Sequence, residues 1–320
     1  MKNRNPLTSN RHLKTSCFTP NRFFSILRIA SGGALLSAAT ALGLMAVLTG
    51  PSIATADNPS NAVHYYVALG DSLAAGYQPN GETGPDGMFL HGYANQLYDA
   101  LKANDPTLQL LNLSCGGETT SSMISGEEVH FAGSRSFCGY RSWHGHLAHG
   151  SQLDDAVAFL HAHSGFVSLI TIDIGGNDVG ACVYSLDQAC LDNGIATVNQ
   201  NLPVILSTLR EVAPGVPIVG MNYYDPFLVF WFSDPTAAQT TEQMVVEQVN
   251  PTLEQVYTDY SVPVADVETA FSTTDWTLVD GIPLNVERIC EWTWMCSIFD
   301  LHANTAGYGV IAEAFEQVLP

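Results

Sequence analysis

The feature that most constrains this chain is an alternation. Five short apolar runs, at Tyr65–Leu69, Leu108–Leu113, Val167–Ile174, Pro217–Met221 and Val262–Ala265, are separated by stretches with the periodicity of amphipathic helices. The helical patterns fall at Tyr93–Ala103, Ser151–His163, Ile195–Val212, Thr240–Tyr260 and Ala306–Val318. Strands that alternate with helices of this length need crossover connections, and right-handed crossovers build a parallel sheet. The segment Phe166–Ile172 reads FVSLITI, as a strand covered on both faces does. The alternation therefore predicts an α/β fold with a single parallel sheet. Two stretches, Gly126–Gly150 and Asp275–Leu301, lack either periodicity and read as irregular loops over the sheet edge.

The first 56 residues stand apart. They hold Lys2, Arg4, Arg11, Lys14, Arg22 and Arg28 with no acidic residue. A small, apolar run from Gly32 to Gly50 follows, then the small-x-small pattern Ala54-Thr55-Ala56. That order describes a secretory signal peptide with a long basic front, cut after Ala56. A retained membrane anchor is the rival reading, and the Gly, Ser and Thr content of the run favours removal. Residues 57–320 then form the mature domain, long enough for one α/β core. It keeps five of the 11 basic residues against all 31 acids, a formal charge of −26. Such a charge repels nucleic acid and anionic membranes and suits an extracellular protein.

Six cysteines fall in the mature part: Cys115, Cys138, Cys182, Cys190, Cys290 and Cys296. An even number in an exported chain suggests three disulfides. The sequential pairing, 115 with 138, 182 with 190 and 290 with 296, closes a local loop each time. No pair has the two-residue spacing of zinc ligands.

Chemistry-bearing residues follow the strands. Tyr65–Gly76 reads YYVALGDSLAAG, a strand ending in a turn that leads into a helical pattern, with Ser72 at the turn. Open α/β sheets place their chemistry at such carboxyl ends. Asn112-Leu-Ser-Cys-Gly-Gly-Glu-Thr-Thr follows the second strand and Gly175-Gly-Asn177-Asp178 the third. Asp300-Leu-His302 precedes the last helix. Ester hydrolysis needs a nucleophile, a base and donors aimed at an oxyanion. Ser72 and His302 supply the first two. The backbone N–H groups of Ser72 and Gly117 and the amide of Asn177 supply the donors.

These blocks, GDSL (70–73), the glycine of CGGETT (115–120), GGND (175–178) and DLHANTAGY (300–308), resemble the SGNH or GDSL-type hydrolases. They come in that family's order, and the cysteines resemble those of its secreted actinobacterial-type lipases and esterases with three disulfides. The resemblance implies a flavodoxin-like, three-layer αβα fold, a Ser72–His302 pair, an oxyanion hole at Ser72, Gly117 and Asn177, and no metal or organic cofactor. One position departs from the pattern: the family places an aspartate three residues before the histidine, where this chain has Phe299. Either the Asp300 carboxylate or the Phe299 backbone carbonyl would then orient the ring, and the reading leans to the carbonyl.

Other features admit plainer readings. Asp71 reads as a brace of its turn through backbone amides, and Asp178 as a partner of the Gly-Gly-Asn loop. His144, His146 and His149 lie in a Gly-containing loop without a metallopeptidase HExxH pattern, so a solvated loop is preferred to a metal site. Met221–Trp231 is rich in aromatics and lines either an acyl pocket or the core. There is no G-x-S-x-G elbow, Walker loop or G-x-G-x-x-G. A secreted serine esterase or lipase acting on acyl esters is expected. A carbohydrate O-deacetylase, or a non-catalytic carbohydrate- or lipid-binding protein on the same fold, are the alternatives.

Overall fold

Tyr66, Val67, Ala68 and Leu69 are four consecutive residues with no exposed surface, which only a strand covered on both faces allows. In the computed structural model, which describes residues 62–84, 89–126, 130–131, 134–135 and 150–319, they lie in strand β1 (His64–Gly70). The sheet adds β2 (Leu108–Asn112), β3 (Val167–Asp173), β4 (Ile218–Met221) and β5 (Val264–Ala265). All its pairings are parallel, and the order is β2-β1-β3-β4-β5. That is the doubly wound order in which the chain reverses direction beside β1, opening a crevice at the strand ends.

The connections carry α1 (Tyr93–Lys102), α2 (Thr120–Ser125), α3 (Gln152–Ala162), α4 (Gly176–Ser185) and α5 (Gln188–Val212). They continue with α6 (Pro235–Met244), α7 (Asn250–Asp259), α8 (Val267–Ala270), α9 (Leu284–Trp292), α10 (Met295–Ile298) and α11 (Thr305–Glu316). Helix α1 packs on α11, whereas α2, α3 and α7 pack on α5. Right-handed crossovers put those two groups on opposite faces, giving three layers. The fold is α/β, with the flavodoxin-like sheet expected of it.

Three expectations about elements need correction. Helix α5 starts at Gln188 rather than near Ile195, capped by Asp187, whose Oδ1 accepts from the Cys190 N–H at 3.1 Å. Gly194 lies inside this helix at a close contact: a Cβ there would stand 2.5 Å from the Asp178 carbonyl oxygen. The pattern at Thr240–Tyr260 is two helices, α6 and α7, joined by a π turn at Val245–Val249. Pro251 explains the wide turn, since its ring crowds the carbonyl four residues earlier and it offers no N–H. Asp275–Leu301 is not an irregular loop. It contains α9 and α10, with Val286 and Ile289 one turn apart and fully buried.

The Cys182–Cys190 and Cys290–Cys296 disulfides are formed. Cys115 is disulfide-bonded, while Cys138 lies outside the described residues, as do His144, His146 and His149. The whole segment expected to carry the signal peptide also lies outside them.

Candidate active site

Gly70 ends β1 opposite Asp173 in the parallel register. Its φ is +133°, and a Cβ would come within 1.7 Å of Asp173 Oδ1, so only glycine closes this turn. The Gln152 side chain bridges both its backbone groups: Gly70 N–H donates to Oε1 at 2.7 Å, and Nε2 donates to Gly70 O at 2.9 Å. The chain after Ser72 is a series of turns to Gly76, not the helix that the pattern suggested; α1 waits until Tyr93. Its amides are taken up by carboxylates instead. Leu73 N–H donates to Asp71 Oδ1 at 2.8 Å, and Ala74 N–H to Asp173 Oδ2 at 2.9 Å.

Asp71 and Asp173 are both buried, and Tyr223 OH donates to Asp71 Oδ2 at 3.3 Å. Burial pushes the Asp71 carboxyl up to about 6, against the pull of the Leu73 amide and of His302. Asp173 is held well above the carboxylate range by burial and by the charge of Asp71. Asp71 thus carries the bracing bonds that its position beside Ser72 suggested.

His302 reaches the serine from the other end of the chain. Its Nε2 lies 2.7 Å from Ser72 Oγ. Its Nδ1 lies 2.7 Å from Asp300 Oδ1, which also accepts the His302 backbone N–H at 3.0 Å. The leaning towards the Phe299 carbonyl is therefore revised: the carboxylate two residues back meets the ring. Phe299 adopts φ +58°, and this left-handed kink folds Asp300 back under His302. Burial would raise the Asp300 carboxyl, but the ring, charge and backbone of His302 together hold it below the usual value. The loop is strapped in place, with Tyr224 OH donating to Leu301 O at 2.8 Å and Trp294 N–H to His302 O at 3.0 Å.

Gly117 and Asn177 stand at the ends of β2 and β3. Asn177 Nδ2 donates to Glu118 O at 2.9 Å, joining the two blocks. Asp178 clamps the same pair of elements: Thr120 donates to it through N–H at 2.9 Å and through Oγ1 at 2.7 Å. Among the described residues, the backbone N–H groups of Ser72 and Gly117 donate to no protein acceptor. Gly117 has φ +80°, which aims its amide without a side chain in the way.

Ser72 and Asn177 open onto a cavity of about 520 Å³ lined mainly by apolar side chains, including Leu73, Val179, Val183, Phe227 and Met295. The Met221–Trp231 segment divides between the two readings given to it. Tyr223, Tyr224, Pro226 and Phe227 line the cavity, while Met221 and Leu228 are core. The contribution of α4 was not foreseen from sequence. Its signal was present, because Gly176, Val179, Gly180 and Val183 recur at three- and four-residue spacing along one helical face. Among the described residues, no group of three His, Cys, Asp or Glu could hold a metal ion.

The model of the GDSL-like lipase/acylhydrolase family matches residues 68–310. No curated protein is detectably similar in sequence. Among solved structures, an extracellular lipase from Streptomyces rimosus superposes with a TM-score of 0.53 at 18% identity, over 80% of this chain and 100% of that one. An acetyl xylan esterase variant from Geobacillus stearothermophilus does so with a TM-score of 0.50 at 17% identity, over 79% and 93%. At such identities the likeness speaks for the fold. The family match spans every block from Ala68 to Val310, and the chain belongs to the GDSL-like lipase/acylhydrolase family as a carboxylic ester hydrolase.

Proposed function

We propose that the protein is a secreted serine esterase or lipase that takes esters with an apolar acyl chain. The supporting observation is the line Ser72 Oγ–His302 Nε2 and His302 Nδ1–Asp300 Oδ1, each step 2.7 Å, set at the mouth of an apolar cavity. Ser72 Oγ attacks the acyl carbonyl while His302 takes its proton. The imidazolium is supported by Asp300. The oxyanion is received by the N–H of Ser72, the N–H of Gly117 and the Asn177 amide, each donor worth about 3–4 kcal/mol in comparable sites. His302 then protonates the leaving alcohol, and water attacks the acyl-enzyme by the reverse path. No step calls for a metal or organic cofactor.

The cavity favours acyl chains over acetyl. Each methylene buried contributes up to about 0.8 kcal/mol, so an apolar space of this size rewards length. That weighs against the O-deacetylase reading. Residues 1–56 are proposed as the export signal and 57–320 as the hydrolase domain. Among the described residues, no helix is long and apolar enough to cross a membrane.

Hydrolysis of p-nitrophenyl acetate, butyrate, octanoate and palmitate, beside Ser72→Ala, tests this reading. Turnover absent in the variant and rising with chain length supports it. Turnover that survives Ser72→Ala, or is confined to acetate, overturns it.

A further inference from the structure

The mouth of the cavity is bordered by three segments without one charged residue, in a chain of formal charge −20. They are 179–186 (VGACVYSL), 226–233 (PFLVFWFS) and 292–299 (WTWMCSIF). Each segment also supplies side chains to the cavity wall. Their outward side chains are large and apolar: Tyr184, Leu186, Phe232, Ile298 and Phe299 are between 40% and 57% exposed.

Four of these exposed groups, Tyr184, Phe232, Ile298 and Phe299, are linked. The Tyr184 ring lies 6.4 Å from that of Phe299 and 5.8 Å from that of Phe230. Phe299 and Met295 border both the acyl cavity and a neighbouring hollow of about 450 Å³, whose other walls include Phe232, Ile298 and the Cys290–Cys296 disulfide. The left-handed φ of Phe299 presents a bulky side chain to solvent at this junction. A bulky residue adopts that conformation only where its surroundings impose it.

A contiguous apolar rim marks a contact surface rather than ordinary scatter. Two observations say what it contacts. The rim is the entrance to a cavity suited to an acyl chain, so whatever delivers the ester rests on it. The residues from 57 onward carry only five Lys and Arg against 31 acids, which disfavours anionic surfaces.

We infer that Tyr184, Phe232, Ile298 and Phe299 form a docking surface for aggregated zwitterionic lipid, seating the cavity mouth against the acyl chains of the aggregate. The inference rests on the ester-hydrolase reading of the Ser72 site, and the test separates the two. Neither Phe232 nor Ile298 lines the acyl cavity.

The Ser72→Ala protein is mixed with phosphatidylcholine vesicles and with phosphatidylglycerol vesicles, and bound protein is measured by co-sedimentation. Binding to phosphatidylcholine is expected, weakened at least tenfold by Phe232→Ser with Ile298→Ser. In the otherwise wild-type protein the same pair should leave kcat/KM on monomeric p-nitrophenyl butyrate within twofold. Binding unaffected by the pair, binding absent altogether, or a preference for phosphatidylglycerol overturns the docking surface. So does a dimer in solution that the pair dissociates, because the rim would then cover a second copy. A wild-type protein inert on every ester while Ser72→Ala still binds vesicles removes the hydrolase reading and leaves the docking surface standing.

Discussion

Asn177 Nδ2 donates to the backbone carbonyl of Glu118 at 2.9 Å, and this one bond sets the third sequence block against the second. A primary amide has two hydrogens. One is spent on Glu118, which leaves one for a further acceptor, and Asn177 lines the same cavity as Ser72. Asn177→Ala should lower kcat by about a hundredfold to a thousandfold with little change in KM, as loss of one oxyanion donor does. Kinetics on p-nitrophenyl butyrate check this, and a loss below about threefold would remove Asn177 from the oxyanion hole.

Asp300 stands in the same relation to His302 Nδ1 as Ser72 does to Nε2, both at 2.7 Å. Ser72→Ala and His302→Ala should each reduce kcat by about 10⁴–10⁶, and the double variant little further, since the residues act as a unit. Asp300→Ala should cost about 10²–10⁴, because the ring loses the partner that selects its tautomer. An Asp300→Ala protein with near wild-type kcat would return the orienting role to a backbone carbonyl.

Gly180 lines the acyl cavity, and a Cβ built on it meets nothing within 4 Å. A larger side chain there can enter the cavity without displacing the backbone of α4. Gly180→Phe should fold normally and shift preference from octanoate towards acetate. With about 0.8 kcal/mol per methylene no longer buried, the octanoate-to-acetate ratio of kcat/KM should fall at least tenfold. An unchanged ratio would place the acyl chain elsewhere.

Asp225 caps the helical turn at Pro226–Phe232 by accepting the Phe227 N–H at 2.8 Å. Burial pushes its carboxyl up to about 7, with Thr241 and the Phe227 amide partly offsetting the effect. The folded state therefore holds the proton longer than the unfolded chain. Unfolding releases it, so stability declines as pH rises from the ordinary carboxylate value to about 7. Asp71, raised to about 6, acts in the same direction. Thermal unfolding should show a higher Tm at pH 5 than at pH 8. Asp225→Asn should remove on the order of 2–3 kcal/mol of that difference. A variant with the full wild-type slope would show that Asp225 does not titrate in this window.

The strands were legible because burial on both faces leaves a local trace, an unbroken apolar run such as Tyr66–Leu69. The residues that end them were legible too, since Gly70, Gly117 and Gly175 mark where the backbone turns with positive φ. Helix boundaries were less so. Gly194 sits inside α5 at a close helix contact, and Pro251 stands in the first turn of α7 just after a widened turn, so neither residue type marks the boundary by itself. In α9 the two fully buried apolar side chains, Val286 and Ile289, stand among charged and polar neighbours, so the pattern is too sparse to detect from the sequence alone.

By itself the sequence determined the order of the elements, the parallel sheet and the identity of Ser72, Gly117, Asn177 and His302 as candidates, since those follow from local periodicity and from which residue type stands at each strand end. Tertiary structure decided how they meet. Ser72 and His302 are separated by 230 positions, so no local pattern reports the 2.7 Å between them. That Asp300 meets the ring depends on a loop in which Phe299 takes a positive φ and the Leu301 and His302 carbonyls are held by Tyr224 and Trp294. The acyl cavity is likewise a space between α4, the Pro226–Phe232 turn and α10. Its shape follows from the packing of segments distant in the chain.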